Sequence, residues 1–260
     1  MPSSIIIYIL VIVFGLAVGS FLNVLILRFD DLKTILRVRS HCPKCKKALK
    51  WSDLVPFFSW LYLGARCRYC KKPISYQYPI VEGLTAILFA LIYWQAGLSW
   101  AGLLLAIIVS ILIVIATYDI LHLEIPDILT YLGILFALGL LLLNLVAAGQ
   151  LSWENLIPYG YAIITASGFL GFLVILSRGK WMGSGDILLG VLMGILLGMP
   201  SVLVGLFLAF VFGSIVGLAL IAAKKKTLKD AVPFGPFLVA GTIIALFWGD
   251  KLINWYLGIF

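Results

Sequence analysis

Eight apolar runs, most of them long enough to cross a bilayer and nearly free of charge, leave this chain few folds to choose from. They fall at roughly 5–28, 79–96, 99–118, 128–148, 157–177, 186–200, 201–223 and 235–257. A helix needs about 20 apolar residues to cross a hydrocarbon core of about 30 Å. No water at that depth bonds the backbone, so only helices and closed barrels span it. Barrel strands would be shorter and would alternate in polarity, whereas these runs are continuous. The runs therefore predict an all-α polytopic membrane protein with about eight transmembrane helices. The composition agrees: 63% hydrophobic, 12% charged, with a mean hydropathy of +1.15. Soluble domains carry about twice that share of charge. Turn signals at Gly97, Pro126, Pro158, Gly179, Pro200 and Pro233 mark the expected breaks. The sixth run is short for a bilayer, which predicts a thinned or water-lined site around Asp186.

The 19 Lys+Arg residues outnumber the 11 Asp+Glu, for a net charge of +8. Twelve of the basic residues lie between Arg28 and Lys72, two are Arg178 and Lys180, and four are Lys224, Lys225, Lys226 and Lys229. Only Lys251 stands apart. Threading the runs from an outside N-terminus places 29–78, 119–127, 178–185 and 224–234 on the cytoplasmic side, which gathers these clusters on one face. The same threading explains the charge without nucleic acid, so no nucleic-acid partner is expected. The run from Ile5 to Leu27 is too long for a signal-peptide core and lacks a small-x-small cleavage site, so it reads as a retained first span. The expected organisation is a first helix over 1–28, a cytoplasmic loop domain over 29–78 and a seven-helix portion over 79–260. No internal repeat is expected.

All four cysteines lie in the loop, as Cys42-Pro43-Lys44-Cys45 and Cys67-Arg68-Tyr69-Cys70. Two-residue gaps let both thiolates of a pair reach one tetrahedral ion, and two such pairs complete a closed, structural zinc site. The alternative is a pair of disulfides, which the reducing cytoplasm disfavours. His41 adjoins Cys42 as a further possible ligand or a solvated neighbour. A loop of this length buries little core, so a metal staple is physically reasonable. The aromatic stretch from Trp51 to Tyr62 suits a domain lying at the membrane interface.

Two acids remain. Asp119 ends the third run, and Asp186 opens the sixth behind Gly183-Ser184-Gly185. A carboxylate at the edge of hydrocarbon is costly to keep and is a functional-site hypothesis by default. The threading sets both on one face, where a pair can share a proton and activate a water, as aspartic proteases do. Gly183 and Gly185 allow unusual backbone angles and close approach of another chain, such as an extended substrate. The plainer reading is that they make a turn and that Asp186 caps a helix. Asp127, beside Pro126, reads as a cap or dipole partner for the next helix, and His122 and Glu124 as solvated.

The chain resembles the bacterial type IV prepilin peptidases (leader peptidase/N-methyltransferases), GxGD-type aspartic proteases, over nearly its full length. The resemblance runs through Gly19-Ser20-Phe21-Leu22-Asn23-Val24, Arg39-Ser40-His41-Cys42-Pro43-Lys44-Cys45, Trp51-Ser52-Asp53-Leu54-Val55-Pro56 and Ser59-Trp60-Leu61. It continues through Arg66-Cys67-Arg68-Tyr69-Cys70, Tyr78-Pro79-Ile80-Val81-Glu82, Asp119 to Asp127, Gly183 to Asp186 and Pro233-Phe234-Gly235-Pro236-Phe237. It implies Asp119 and Asp186 as catalytic residues and Cys42, Cys45, Cys67 and Cys70 as zinc ligands. It implies cleavage of prepilin or pseudopilin leaders after a glycine at the cytoplasmic face of the bacterial inner membrane. It also implies S-adenosylmethionine-dependent methylation of the new N-terminus, and an association with pilus or type II secretion machinery. The Tyr-Asp and Gly-x-Gly-Asp pairing is similar to presenilin-type proteases too, which lack the cysteine loop. Gln77 stands where many members carry Arg, and Gly64-Ala65 replaces a usual Gly-Gly. No nucleotide-binding fingerprint marks a methyl-donor site. Glu82 is a candidate polar contributor to substrate or donor binding, or a structural partner for a loop arginine. The rival functions are a transporter using intramembrane acids, which would want them near the midplane, and a non-catalytic zinc-loop docking protein, in which the aspartates would be dispensable.

Overall fold

A computed structural model describes residues 2–31, 40–227 and 230–258; Lys33, Arg37, Arg39 and Lys229, counted in the motifs and clusters above, lie outside these. Nine α-helices follow one another among the described residues: α1 Pro2–Leu27, α2 Phe58–Tyr62, α3 Gln77–Ala96, α4 Trp100–His122, α5 Asp127–Ala147, α6 Trp153–Ser177, α7 Ser184–Leu197, α8 Ser201–Ala222 and α9 Gly235–Leu257. Among the described residues there is no β-strand, only two isolated bridges. Seven helices among the described residues are long and apolar enough to cross a membrane, namely all but α2 and α7. The eighth expected span is α7, whose 14 residues reach only about 21 Å at 1.5 Å per residue. This is a multi-pass membrane protein in which the short apolar helix α7 carries Asp186 in its first turn.

Two of the expected breaks fall elsewhere. The α6 helix runs through Pro158 without interruption, and the chain turns earlier, at Gly149 with φ +65°. Pro158 is early in the helix, so its missing N–H forfeits only the bond to the Glu154 carbonyl. The α7 helix likewise stops at Gly198, φ +65°, ahead of Pro200. In both turns a left-handed backbone is the stronger constraint, and glycine adopts it at no steric cost.

The chain forms two compact units, 1–106 and 107–260, with the boundary inside α4. In the first, α1 lies against α3 through Gly15 and Gly19. A Cβ on Gly15 would come 2.7 Å from the Ala86 Cα, and one on Gly19 2.7 Å from the Glu82 Cα. Lipid tails are as apolar as leucine, so spanning helices gain little from hydrophobicity alone and associate by close packing at small residues. The buried Asn23 locks the same seam. Its amide nitrogen donates to the Gly19 and Tyr78 carbonyls, each at 3.3 Å, and its oxygen accepts from Gln77 Nε2 at 3.3 Å. Gln77, the departure noted above, is thus a polar contact between α1 and α3.

In the second unit α7 packs against α5, α6, α8 and α9. Its Leu189, Leu192, Met193 and Ile195 are buried. A short helix that is apolar all round belongs in the interior. Gly190 and Gly194 bring α6 onto it. A Cβ on Gly194 would lie 2.6 Å from the Ile163 Cα, and one on Gly190 3.2 Å from the Ser167 Cα. Gly205 of α8 and Gly241 of α9 face each other in the same manner, and a Cβ on Gly205 would sit 3.3 Å from the Gly241 carbonyl oxygen.

Because backbone cannot swing aside, Gly194→Ala is expected to destabilise the protein by about 1–3 kcal/mol, the usual cost of overpacking. Gly139→Ala in α5, where nothing lies within 4 Å of the added carbon, should be neutral or stabilising. Thermal unfolding of both variants in the same detergent micelles checks the contrast.

Candidate active site

The two acids of the sequence reading lie in the second unit, each 5% exposed. Asp119 is in the last turn of α4, one turn earlier than expected, because the helix continues to His122. Its backbone carbonyl accepts from Leu123 N–H at 2.8 Å. The side chain finds its partner far along the chain: Gly235 N–H, at the start of α9, donates to Asp119 Oδ2 at 2.9 Å. The first N–H groups of a helix have no partner within it and carry its positive dipole end, so a carboxylate is a natural acceptor.

Asp186 is the third residue of α7. Gly183 N–H donates to its Oδ2 at 2.9 Å. The capping role is therefore real, but it uses only one oxygen. Asp186 Oδ1 is buried with no hydrogen-bond partner among the described residues. Leaving a buried acceptor unpaired costs about 1–3 kcal/mol, so this atom marks a place where a proton, a water or a ligand group fits. Asp119 and Asp186 lie within direct electrostatic reach of each other.

The glycines act through space rather than through unusual angles. Gly183 has φ −87° and ψ 167°, an ordinary extended conformation. A Cβ there would meet nothing closer than 3.9 Å, so its face is open. At Gly185 a Cβ would lie 2.8 Å from the Cβ of Ile125, so the close approach foreseen at this glycine is made by the protein's own loop. A Cβ on Gly235 would come 2.6 Å from Asp119 Oδ2 and 3.3 Å from Ile125 Cδ1. In the sequence Gly235 stands within the Pro233 to Phe237 motif with no role of its own, and Ile125 carries no mark at all. An apolar residue between Glu124 and Pro126 carries no chemical signal.

Around the pair, Asp127 is the exposed first residue of α5, where its charge complements the helix dipole; no side-chain cap is made. His122 and Glu124 are exposed as expected, with the His122 ring stacked on Tyr118 at 4.2 Å.

In the first unit the four cysteines come together as thiols, not disulfides. Their sulfur atoms all lie within 4.8 Å of one another, and Cys42 and Cys70 are 3.9 Å apart. A tetrahedral zinc with sulfurs at about 2.3 Å sets them about 3.8 Å apart. The donor set and spacing thus fit a metal ion, and His41 stands outside the group. Backbone N–H groups of Cys70 and Tyr69 turned toward the Cys67 sulfur bring its thiol down to about 7, while at Cys70, against the Lys72 N–H, burial and the neighbouring thiols push the thiol up to about 11.

The two cysteine pairs are built alike, which corrects the expectation of no internal repeat. Cys42 N–H donates to the Lys47 carbonyl at 3.0 Å, and Cys67 N–H to Lys72 at 2.9 Å. Bridges join His41 to Ala48 and Arg66 to Pro73. Lys46 and Lys71 take φ +59° and +57° at the equivalent turn. Laying Cys-Pro-Lys-Cys-Lys-Lys over Cys-Arg-Tyr-Cys-Lys-Lys would have exposed the repeat.

Buried carboxylates tie the segment between the pairs in place. Asp53 accepts from Arg68 Nε and Nη2 at 2.7 Å and from Lys50 N–H at 3.2 Å. Glu82 of α3 accepts from Phe57 N–H at 2.6 Å, so its partner is the loop backbone rather than a loop arginine. Phe57 has φ +62°, a conformation a bulky residue holds only when its surroundings impose it.

The family described as the bacterial peptidase A24 N-terminal domain matches residues 13–96, and the type IV leader peptidase family matches residues 106–218. The prepilin leader peptidase/N-methyltransferase of Legionella pneumophila is 33% identical, across 96% of this chain and 94% of that protein. The proteins of the same name from Aeromonas hydrophila and Bacillus subtilis (strain 168) are 32% and 31% identical, and each alignment covers more than nine-tenths of both partners. No solved structure matches.

Two outcomes are expected. Cys67→Ser should abolish the bound metal measured by mass spectrometry of the purified protein, whereas His41→Ala should retain it. Ala65, which replaces the usual glycine, sits at φ +57°; Ala65→Gly should relieve left-handed strain and stabilise the loop by up to about 1 kcal/mol. Thermal unfolding of the metal-loaded protein reads that change.

Proposed function

The chain belongs to the type IV leader peptidase family, and on that premise we propose that it is a bifunctional prepilin peptidase. It cleaves the leader of type IV prepilins or pseudopilins after a glycine and methylates the new N-terminal residue. The observation that carries the peptidase reading is the geometry of Asp119 and Asp186. Both are buried, both accept a backbone N–H from a helix start, and one oxygen is left without a partner.

The chemistry follows from a pair that holds one proton. The ionised carboxylate takes a proton from a water, whose oxygen attacks the scissile carbonyl carbon. The protonated carboxylate gives its proton to the carbonyl oxygen. Collapse of the tetrahedral intermediate breaks the C–N bond: the proton taken from water passes to the departing amine, and one hydroxyl of the gem-diol returns its proton to the carboxylate that gave it, which restores the pair. The pair titrates as a unit, so the proton belongs to the pair. Gly183, with its open face beside Asp186, is the proposed seat of the extended scissile segment, and Gly185 completes that helix start.

Cys42, Cys45, Cys67 and Cys70 would hold a structural zinc, closed to water and substrate. The aromatic segment between the two pairs exposes Trp51, Phe58 and Tyr62, beside exposed Lys44, Lys46, Lys47 and Lys50. Such a surface suits the headgroup layer of an anionic leaflet. We take 29–78 as this zinc module and 79–260 as the peptidase portion. The protein would sit in the bacterial inner membrane with its N-terminus outside and its active site on the cytoplasmic side, in reach of pilus or type II secretion machinery. The methylating half, with S-adenosylmethionine as donor, rests on the relatives' names.

Intact-mass analysis of a prepilin incubated with the purified protein, zinc and S-adenosylmethionine tests both activities. The leader should be lost and one methyl gained. Asp119→Asn and Asp186→Asn should each reduce cleavage by at least about a hundredfold while melting as the wild type does. Cleavage at the native rate in either variant would overturn the aspartate pair, whereas a prepilin left uncut by the wild type would leave the docking or transport readings standing instead.

A further inference from the structure

Ile125 stands between the two glycines that accompany the aspartates. Three atoms of its side chain crowd one side of Gly185: a Cβ there would lie 2.8, 3.4 and 3.6 Å from the Ile125 Cβ, Cγ2 and Cδ1. Gly185 directly precedes Asp186. The tip of the same side chain reaches the other glycine, since a Cβ on Gly235 would lie 3.3 Å from Ile125 Cδ1. Gly235 is the residue whose N–H holds Asp119 Oδ2 at 2.9 Å. One apolar side chain thus touches the start of α7, which carries Asp186, and the start of α9, which holds Asp119.

We infer that Ile125 is the positioning residue that sets the spacing of the two carboxylates, with Gly185 and Gly235 as its seats. The inference rests on the reading of Asp119 and Asp186 as the catalytic pair. Local chemistry makes Ile125 a firm gauge. It is β-branched and therefore stiff at χ1, and the following Pro126 confines its backbone to extended conformations. Neither glycine leaves slack, because a methyl group at Gly185 would overlap Ile125 and one at Gly235 would overlap the Asp119 carboxylate itself. A larger residue in either seat drives the helix starts apart. A smaller residue at 125 lets them close or drift.

Steady-state cleavage of a prepilin by the full-length protein in one detergent tests this, with Asp119→Asn and Asp186→Asn in parallel. Misplacing a reacting group by about 1 Å costs on the order of a hundredfold in rate. Ile125→Ala should therefore lower kcat by about ten- to a hundredfold with KM within about twofold, and Ile125→Val, which keeps the Cβ and Cγ2 against Gly185 but lacks the Cδ1 that reaches Gly235, should restore part of the loss. Gly185→Ala should be equally slow, whereas Gly185→Ala combined with Ile125→Gly should be no slower than Ile125→Gly alone, because the clash has gone. If both Asn variants are inactive while Ile125→Ala keeps the native kcat, the gauge is wrong and the catalytic pair stands. A loss in Ile125→Ala that Ile125→Val does not reduce at all, or that follows a fall in melting temperature, overturns it as well. If the Asn variants cleave at the native rate, the catalytic reading falls first and the gauge with it.

Discussion

The hydrogen bond from Gly235 N–H to the Asp119 carboxylate joins α9 to the end of α4, and the geometry of the second unit turns on it. A carboxylate in a membrane protein's interior needs a donor, because an unpaired buried charge is far more costly than an unpaired amide. A helix start supplies a donor and a favourable dipole together. Asp186 meets the same need in the first turn of its own helix, through Gly183. Two acids are thereby kept buried, each with one satisfied oxygen. The remaining Asp186 oxygen is the orphan that gives the proposed active site its place for a proton or a water.

Close packing at glycine is what allows the helices to carry these groups. The α1–α3 seam at Gly15 and Gly19, the α6–α7 seam at Gly190 and Gly194, and the facing Gly205 and Gly241 all bring backbone to within contact distance. In lipid such contacts replace the hydrophobic force that assembles a soluble core. They also hold the short α7 helix in the interior.

The segment between α1 and α3 solves a different problem. It is too short for a core of its own, so thiols and carboxylates take over the work. Two like-built cysteine turns set four sulfurs at metal-ligand spacing. Asp53 and Glu82 fasten the intervening chain at Arg68 and Phe57. The strained Phe57 backbone is held by its hydrogen bond to Glu82, a buried residue of α3.

The sequence by itself determined the membrane class, the helix count to within one short helix, and the cysteine cluster. Each of these is written in local chemistry: the length of an apolar run, or the two-residue gap that lets a pair of thiolates share an ion. It also singled out Asp119 and Asp186, since charge at the edge of hydrocarbon stands out in any such chain. The tertiary structure decided the rest. That Asp119 bonds to Gly235, that Glu82 bonds to the Phe57 backbone rather than an arginine, and that Ile125 fits between two glycines depend on which helix starts meet. Meetings between residues so distant in the chain are set by the packing of whole helices, and no local pattern around a glycine or an isoleucine records which neighbour will arrive.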